Sequence, residues 1–161
     1  NPNYRDLVKN MERVLTVHSS FDERTKECMV RWLKEMNFGM QKFLKQEVYS
    51  FEDLNEYCYY VAGTPSGFLT ELIRTRSKDI SEESAKILSD NERDFGLFLQ
   101  KVNIIRDFRE DILDNEKIFW PGFLFEKHNL QPEDLLKPEN EEKCMEMLDL
   151  VRRKISKFIN H

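Results

Sequence analysis

The sequence is poor in glycine and proline, with five residues of each among its 161. Collagen-like repeats and turn-rich β folds require more of both, so these two classes are excluded. Long apolar runs are missing as well, since no stretch approaches the ~18 consecutive apolar residues of a membrane-spanning helix. The first residues also lack the pattern of a secretory signal peptide, and the chain is therefore expected in the cytoplasm.

Basic residues and cysteines are too scattered for two further classes, the nucleic-acid binders and the zinc proteins. Lys and Arg number 25 against 30 Asp and Glu, which gives a net charge of −5. No extended basic patch results, so we expect no nucleic-acid partner. Cys28, Cys58 and Cys144 lie far apart, outside any zinc-binding spacing, and are expected to be reduced thiols in the core.

Apolar residues recur at helical spacing along almost the whole chain, and no segment shows the two-residue alternation of a half-buried strand. The composition, 40% hydrophobic and 34% charged, is that of a soluble globular protein. We therefore predict an all-α fold in a single domain, residues 1–161, with about five main helices.

The first two predicted helices are separated by a short interruption at residues 18–21. The first helix spans about 4–18. Ser20 and Glu23 form a capping box for the second helix, which is expected to end near Val48. The apolar side chains that share one face of the first helix are Leu7, Met11, Val14 and Leu15. The inner stripe of the second helix comprises Met29, Trp32, Leu33, Met36, Met40, Phe43 and Leu44.

Three further helices are predicted in the rest of the chain. Ser50 with Asp53 marks the start of the third helix, which runs to about Thr75. Pro65 should kink this helix, because proline removes a backbone hydrogen bond. A long fourth helix covers about 82–119. The last helix begins with the acidic residues Glu139, Glu141 and Glu142. Its expected buried stripe comprises Cys144, Leu148, Val151, Ile155 and Phe158.

The fourth helix carries a narrow stripe of oxygen-bearing side chains. At about 100° per residue, six of them lie within roughly 60° of the direction of Asp107. They are Gln100, Asn103, Asp107, Glu110, Asp111 and Asp114. Most of the remaining helix surface is apolar, which is typical of a buried helix. Buried carboxylates must be protonated, paired or neutralised by cations, because burying them alone costs many kcal/mol.

The spacing of the carboxylates favours neutralisation by cations. Asp107 and Asp111 lie one helical turn apart, and Glu110 stands beside them. This array suits Mg²⁺, which binds to one or two carboxylates and completes its coordination with water and substrate phosphate oxygens. The alternative is a solvated acidic face that contacts a basic partner, which predicts an exposed Asp107 and no apolar cavity beside it.

A second segment, residues 57–72, combines small side chains with a proline. The small residues that lie one helical turn apart in it are Ala62, Gly63, Ser66 and Gly67. A ridge of this kind permits the close approach of another backbone or of a ligand. Tight helix packing is one interpretation, and a wall of a tunnel for a long apolar chain is the other.

These two segments resemble one protein family. "FLQKVNIIRDFREDILDNEKIFWP" is similar to the second aspartate-rich motif of the squalene and phytoene synthases, and "YCYYVAG" resembles another segment of the same enzymes. The resemblance implies the all-α isoprenoid-synthase fold and the Mg²⁺-assisted, head-to-head joining of two prenyl diphosphates, typically farnesyl diphosphate. It also implies NADPH as a cofactor if the chain belongs to the squalene-synthase branch.

The resemblance assigns roles to individual residues of this chain. Asp107, Glu110 and Asp111 are the implied metal ligands, with Asp107 and Asp111 essential to catalysis. Tyr57 is implied to face the reacting carbons. The residues implied to bind the diphosphate are Gln100, Asn103, Arg106 and Lys117. Those implied to wall the hydrocarbon pocket are Val61, Ala62, Phe95 and Leu99.

One part of the family pattern is missing from the sequence. These enzymes carry a first aspartate-rich motif on a facing helix, and no such motif occurs here. We expect it upstream of residue 1, which makes the chain a segment of a longer transferase. A non-catalytic relative that acts in assembly or binding is the alternative. The sequence defines no oligomeric state.

A short apolar cluster, Phe123, Leu124 and Phe125, follows Pro121. It is either a patch for peripheral membrane contact, suited to an enzyme with apolar substrates, or a group of side chains packed beneath a loop. Packing is the favoured interpretation, because scattered apolar residues near the surface usually belong to the core.

Overall fold

The computed structural model describes residues 2–77, 79–114 and 117–156, and this part of the chain contains helices and no β-strand. The all-α prediction is therefore confirmed. The α-helices, in chain order, are α1 (Pro2–Lys9), α2 (Met11–Ser19), α3 (Glu23–Lys45), α4 (Phe51–Cys58), α5 (Thr64–Arg76), α6 (Glu82–Leu113), α7 (Gly122–His128) and α8 (Glu141–Ser156). A π-helical turn, Tyr59–Gly63, joins α4 to α5.

The predicted first helix is divided into two. The break lies at Asn10, whose side-chain amide donates a hydrogen bond to the backbone oxygen of Asp6 at 2.7 Å. Asparagine favours such local bonds over the continuous helical ladder, which explains the interruption. The prediction of one helix over 4–18 is therefore wrong. The side chains expected on its shared face are all exposed: Leu7, Met11, Val14 and Leu15.

The N-cap of α3 lies two residues later than predicted. Asp22, not Ser20, is the N-cap, and its carboxylate accepts a hydrogen bond from the backbone NH of Thr25 at 2.9 Å. The side chain of Ser20 instead donates to the carbonyl oxygen of Val17. The predicted capping box at Ser20 is thus wrong. The helix ends at Lys45, where the chain becomes extended, rather than near residue 48.

The predicted inner stripe of α3 is only partly buried. Phe43 is buried, and Met29, Trp32 and Met36 are half-buried. Three members of the stripe are exposed, against the prediction: Leu33, Met40 and Leu44. The helix packs against α4, the π-helical turn and α5, which cover a narrower face than the periodicity suggested.

The segment that contains Pro65 is distorted by one wide turn. Helix α4 begins with the predicted capping box, in which Ser50 and Asp53 exchange side-chain to backbone hydrogen bonds. The distortion takes the form of the π-helical turn, which precedes Pro65. Pro65 lies in the first turn of α5, where the missing NH costs little. The helix is therefore distorted as predicted, but the distortion lies at Tyr59–Gly63, before Pro65.

Helix α6 is the longest helix of the described residues and packs closely against the π-helical turn. It begins at Glu82, as predicted, after the N-cap Ser81, but it ends at Leu113 and not near residue 119 as predicted. Its buried Gly96 lies directly on this turn: a Cβ atom added there would stand 2.6 Å from the backbone oxygen of Ala62 and 2.6 Å from the Cα of Gly63. Glycine is therefore required for the two backbones to approach each other.

The C-terminal part covers the core formed by α4 and α6. Helix α8 begins at Glu141, after two short 3-10 helices, rather than at residue 139. Val151 is buried as predicted and Met147 is buried as well, whereas Cys144 and Leu148 are half-buried. The side chain of Ile155 and residue Phe158 lie outside the described part.

The apolar cluster within α7 belongs to the core. Leu124 and Phe125 are buried, and Phe123 is half-buried against Phe51. The packing interpretation is therefore confirmed for these residues. Among the described helices, none combines the length and apolar character that a bilayer-spanning segment requires.

All three cysteines are free thiols. Cys28 and Cys58 are buried, and Cys144 is half-buried. Burial raises the pKa of Cys58 to about 12, so this thiol stays protonated at neutral pH. The cysteines thus pack as small apolar residues, as the sequence predicts.

We expect Gly96→Ala to lower the free energy of unfolding by about 1–3 kcal/mol, because the added methyl group must displace the backbone of the π-helical turn. The direction of the change in stability tests the close contact, because a glycine-to-alanine substitution in an unobstructed helix interior is stabilising by up to about 1 kcal/mol. Urea denaturation followed by circular dichroism measures the change. Asn91→Ala, at an exposed position of the same helix, is the control and should raise the free energy of unfolding by up to about 0.7 kcal/mol, because alanine has the higher helix propensity. A stabilised Gly96→Ala protein would contradict the close contact.

Candidate active site

Five of the six side chains of the predicted stripe lie along α6, and Asp114 is its C-cap. Gln100, Asn103, Asp107 and Asp111 are all partly covered, and Glu110 and Asp114 are exposed. Residues four apart on a helix share one face, so the carboxylates of Asp107 and Asp111 stand one turn apart. The helix presents two carboxylates and two amides from one partly covered surface.

The carboxylate of Asp107 is already paired with a cation. Arg106 donates two hydrogen bonds to it, from Nε to Oδ1 at 2.6 Å and from Nη2 to Oδ2 at 2.7 Å. These bonds are the main cause that lowers the pKa of Asp107, so the group is ionised at neutral pH. The guanidinium itself is exposed, and it carries donors that can also serve a phosphate.

Tyr57 is a buried tyrosine at the end of α4. Burial, with smaller contributions from Cys58 and Asp111, raises the pKa of Tyr57 to about 12. The small contribution of Asp111 is the electrostatic link between these two predicted site residues, and their joint role in one site stays a prediction. At neutral pH the phenol is protonated and can donate a hydrogen bond to a reacting group.

Lys117 is held at the C-terminal end of α3. Its ammonium group donates hydrogen bonds to the backbone oxygens of Phe43 and, at 2.6 Å, of Gln46. These oxygens belong to the last helical turn and the C-cap, whose carbonyls lack helical partners and are satisfied by such donors. Two of the three ammonium protons thus form hydrogen bonds that hold Lys117 to the end of α3. The predicted contact of Lys117 with phosphate stays a prediction.

The four residues predicted to wall a hydrocarbon pocket lie on two neighbouring elements. Val61 and Ala62 are half-buried in the π-helical turn. Phe95 and Leu99 lie on α6 and are 57% and 42% exposed. Helix α6 is therefore not buried all round, and its exposed apolar side chains form an open surface rather than a closed pocket.

An apolar cavity lies between α3 and α5, and residues of the 57–72 segment, predicted either to pack tightly or to wall a tunnel, form part of its lining. Its volume is about 210 Å³, and its lining residues are Met29, Trp32, Leu33, Met36, Thr64, Pro65 and Phe68. A second, wider apolar cavity of about 720 Å³ adjoins it and shares the lining residues Met29 and Phe68. The ridge of small residues on α5 was the available signal, because Gly67 lies against the indole ring of Trp32.

The carboxylates of the stripe suit a magnesium ion whose coordination is completed by water and by the phosphate oxygens of a substrate. Within residues 2–77, 79–114 and 117–156, no three His, Cys, Asp or Glu side chains are grouped closely enough to hold a metal by themselves. Mg²⁺ uses one or two protein carboxylates together with water and phosphate oxygens. Asp107 and Asp111 supply carboxylates of this kind on a partly covered surface.

Comparisons with known proteins agree on one family. The family model described as squalene/phytoene synthase matches residues 2–158. The chain is 32% identical to squalene synthase 1 of Arabidopsis thaliana over 148 residues, which cover 91% of the chain and 35% of the relative. It is 31% identical to the inactive squalene synthase 2 of Arabidopsis thaliana over 160 residues, covering 98% of the chain and 37% of the relative.

The fold of this chain is also similar to that of solved structures. A solved structure of TcSQS in complex with a ligand superposes with a TM-score of 0.86 at 31% sequence identity, over 96% of this chain and 45% of that one. The chain thus spans less than half of the solved structure and a little over a third of these two curated relatives.

We expect Arg106→Gln to raise the pKa of Asp107 toward its ordinary value, because the change removes the cation that stabilises the carboxylate. The side-chain carboxyl resonance of Asp107, followed by NMR between pH 2 and 7, measures the shift. Arg109→Gln is the matched control, since Arg109 is exposed and lies two residues away. If the pKa of Asp107 were the same in the wild type and in Arg106→Gln, the ion pair would be absent in solution.

Proposed function

Because this chain belongs to the squalene/phytoene synthase family, we propose that its site takes part in the head-to-head condensation of two prenyl diphosphates, with farnesyl diphosphate as the expected substrate. The observation that carries the proposal is the placement of Asp107 and Asp111, one turn apart, on one half-buried face of α6. Family membership also rules out an unrelated acidic interaction module.

The acidic stripe is the proposed diphosphate site. Asp107 and Asp111 would hold Mg²⁺, and Glu110 would contribute a further carboxylate at the exposed edge. Bound Mg²⁺ would supply the charge that stabilises a diphosphate leaving group. Gln100 and Asn103 continue the same face of the helix, where their amide groups can donate hydrogen bonds to phosphate oxygens.

Arg106 is the proposed mobile cation of this site. Its guanidinium is exposed and bonded to Asp107, which lies next to it in the chain, so it can turn toward a bound diphosphate without a change of backbone. Arginine suits this task because its planar fork donates two parallel hydrogen bonds to one phosphate.

Tyr57 is proposed to act on the reacting carbons as a neutral phenol. Its raised pKa keeps the hydroxyl protonated, so it donates a hydrogen bond or a proton and does not act as a phenolate base. Val61, Ala62, Phe95 and Leu99 are proposed to provide an apolar surface for the hydrocarbon chains. An apolar surface excludes water, which protects a carbocation from hydrolysis. A squalene product would also require NADPH as the reductant.

Binding without catalysis is the second candidate function. It is favoured by one observation, the similarity to a relative that is named inactive and that matches 98% of the chain. Such a protein would keep the fold and the diphosphate site and would lack turnover. Release of inorganic diphosphate from farnesyl diphosphate in the presence of Mg²⁺ separates the two functions.

We expect a non-cleavable thiodiphosphate analogue of farnesyl diphosphate to bind to the chain only when Mg²⁺ is present. Asp107→Asn and Asp111→Asn should each weaken this binding at least tenfold, about 1.4 kcal/mol, because each removes a carboxylate ligand of the metal. Isothermal titration calorimetry with and without Mg²⁺ measures both effects.

Glu142→Gln is the control for the loss of one negative charge. Glu142 is an exposed residue in the first turn of α8, and its variant should bind the analogue as the wild type does. Binding that is independent of Mg²⁺, or equal affinities in the wild type and Asp107→Asn, would refute the proposed site. Binding to a longer chain extended upstream, without binding to these 161 residues, would mean that the site needs further ligands.

A further inference from the structure

Two aromatic rings enclose the ring of Tyr57. Phe119 stacks on it in parallel, with 3.9 Å between the ring centroids and 11° between the planes. Phe43 meets it edge to face, at 5.4 Å and 76°. Tyr57 itself is only 6% exposed. Stacked and edge-to-face contacts are the preferred geometries of aromatic pairs, so together the two rings define the plane of the phenol.

The segment that carries Phe119 is fixed on both sides. Residues 117–120 have no regular secondary structure, and a segment of this kind would not hold a ring in place by itself. On one side, Lys117 bonds to the backbone oxygens of Phe43 and Gln46. On the other, the indole of Trp120 is buried, donates to the backbone oxygen of Ile104 and packs on Phe108 of α6.

Lys117 connects the two halves of the enclosure. The carbonyl oxygen that accepts its hydrogen bond belongs to Phe43, the residue whose side chain contacts the edge of Tyr57. Its ammonium group also lies 5.9 Å from the ring of Phe119. One lysine therefore holds both aromatic partners of Tyr57 in a single unit, which we name the tyrosine clamp: Phe43, Lys117 and Phe119.

We propose that Phe119, held by Lys117, is a positioning residue that orients the Tyr57 hydroxyl toward the reacting carbons. This inference rests on the proposed function, because the role of Tyr57 comes from there. A reacting group that is misplaced by about 1 Å can lose on the order of 100-fold in rate. The geometry of the clamp thus assigns to Lys117 a structural task in addition to its predicted contact with phosphate.

Fluorine NMR of the chain labelled with 3-fluorotyrosine tests the clamp without substrate. The Tyr57 signal is assigned by its loss in Tyr57→Phe. It should shift and broaden in Phe119→Leu, which removes the stacked ring, and also in Lys117→Met, which keeps the stem and removes the ammonium group. It should stay in place in Phe123→Leu, because that half-buried ring packs on Phe51 instead.

Kinetics test the consequence for the reaction. With farnesyl diphosphate and Mg²⁺, Phe119→Leu should lower kcat at least tenfold and change KM by less than about twofold, because it misplaces Tyr57 without removing a diphosphate ligand. Phe119→Tyr, which retains a stacked ring, should restore most of kcat. Phe123→Leu should leave kcat unchanged.

The outcomes separate this inference from the proposed function. An active wild type with an unchanged kcat in Phe119→Leu would overturn the role of the clamp and leave the proposed function standing. Equal losses of kcat in Phe119→Leu and Phe123→Leu would overturn it as well, since both would then report a general loss of packing. If neither this chain nor a longer chain extended upstream turned over farnesyl diphosphate, both would be overturned.

Discussion

The close contact between α6 and the π-helical turn is the constraint on which the candidate site depends. Helix α6 carries the acidic stripe, and the turn directly follows α4, which ends with Tyr57 and Cys58. The distance between these elements therefore decides how near the phenol lies to the carboxylates. Only the absence of a side chain at Gly96 permits this distance, because a Cβ atom would overlap the backbone of the turn. A wider, irregular turn at this place is typical of functional sites in helical proteins.

The protein keeps several carboxylates beside an apolar core without burying them completely. Asp107 is half-exposed and paired with Arg106, and Glu110 is exposed. Complete burial of these groups would carry a large desolvation cost, whereas partial exposure leaves them hydrated and able to exchange a partner. The same exposure leaves Phe95 and Leu99 open to solvent on α6. Helix α6 therefore exposes both a charged stripe and apolar side chains, whereas an ordinary amphipathic helix exposes its polar face and buries its apolar face.

Most features that depend on residues three or four positions apart were predicted correctly, with the capping box at Ser20 as the exception. The capping box at Ser50, the start of α6 after Ser81 and the acidic stripe itself follow from local spacing and are present. Predictions that depended on neighbours in space were less successful. The stripe of α3 includes the exposed Leu33 and Leu44, because periodicity identifies an apolar face and does not tell how much of it another helix covers.

By itself, the sequence determined the helical class, the family and the composition of the acidic stripe, since each follows from local periodicity or from a continuous motif. Only the tertiary structure decided the surroundings of Tyr57 and the partners of Lys117. Phe119 and Phe43 are remote from each other in the chain, and they meet at Tyr57 because the segment after α6 returns to the end of α3. Such contacts arise from the packing of whole elements, and no local pattern of residues encodes them.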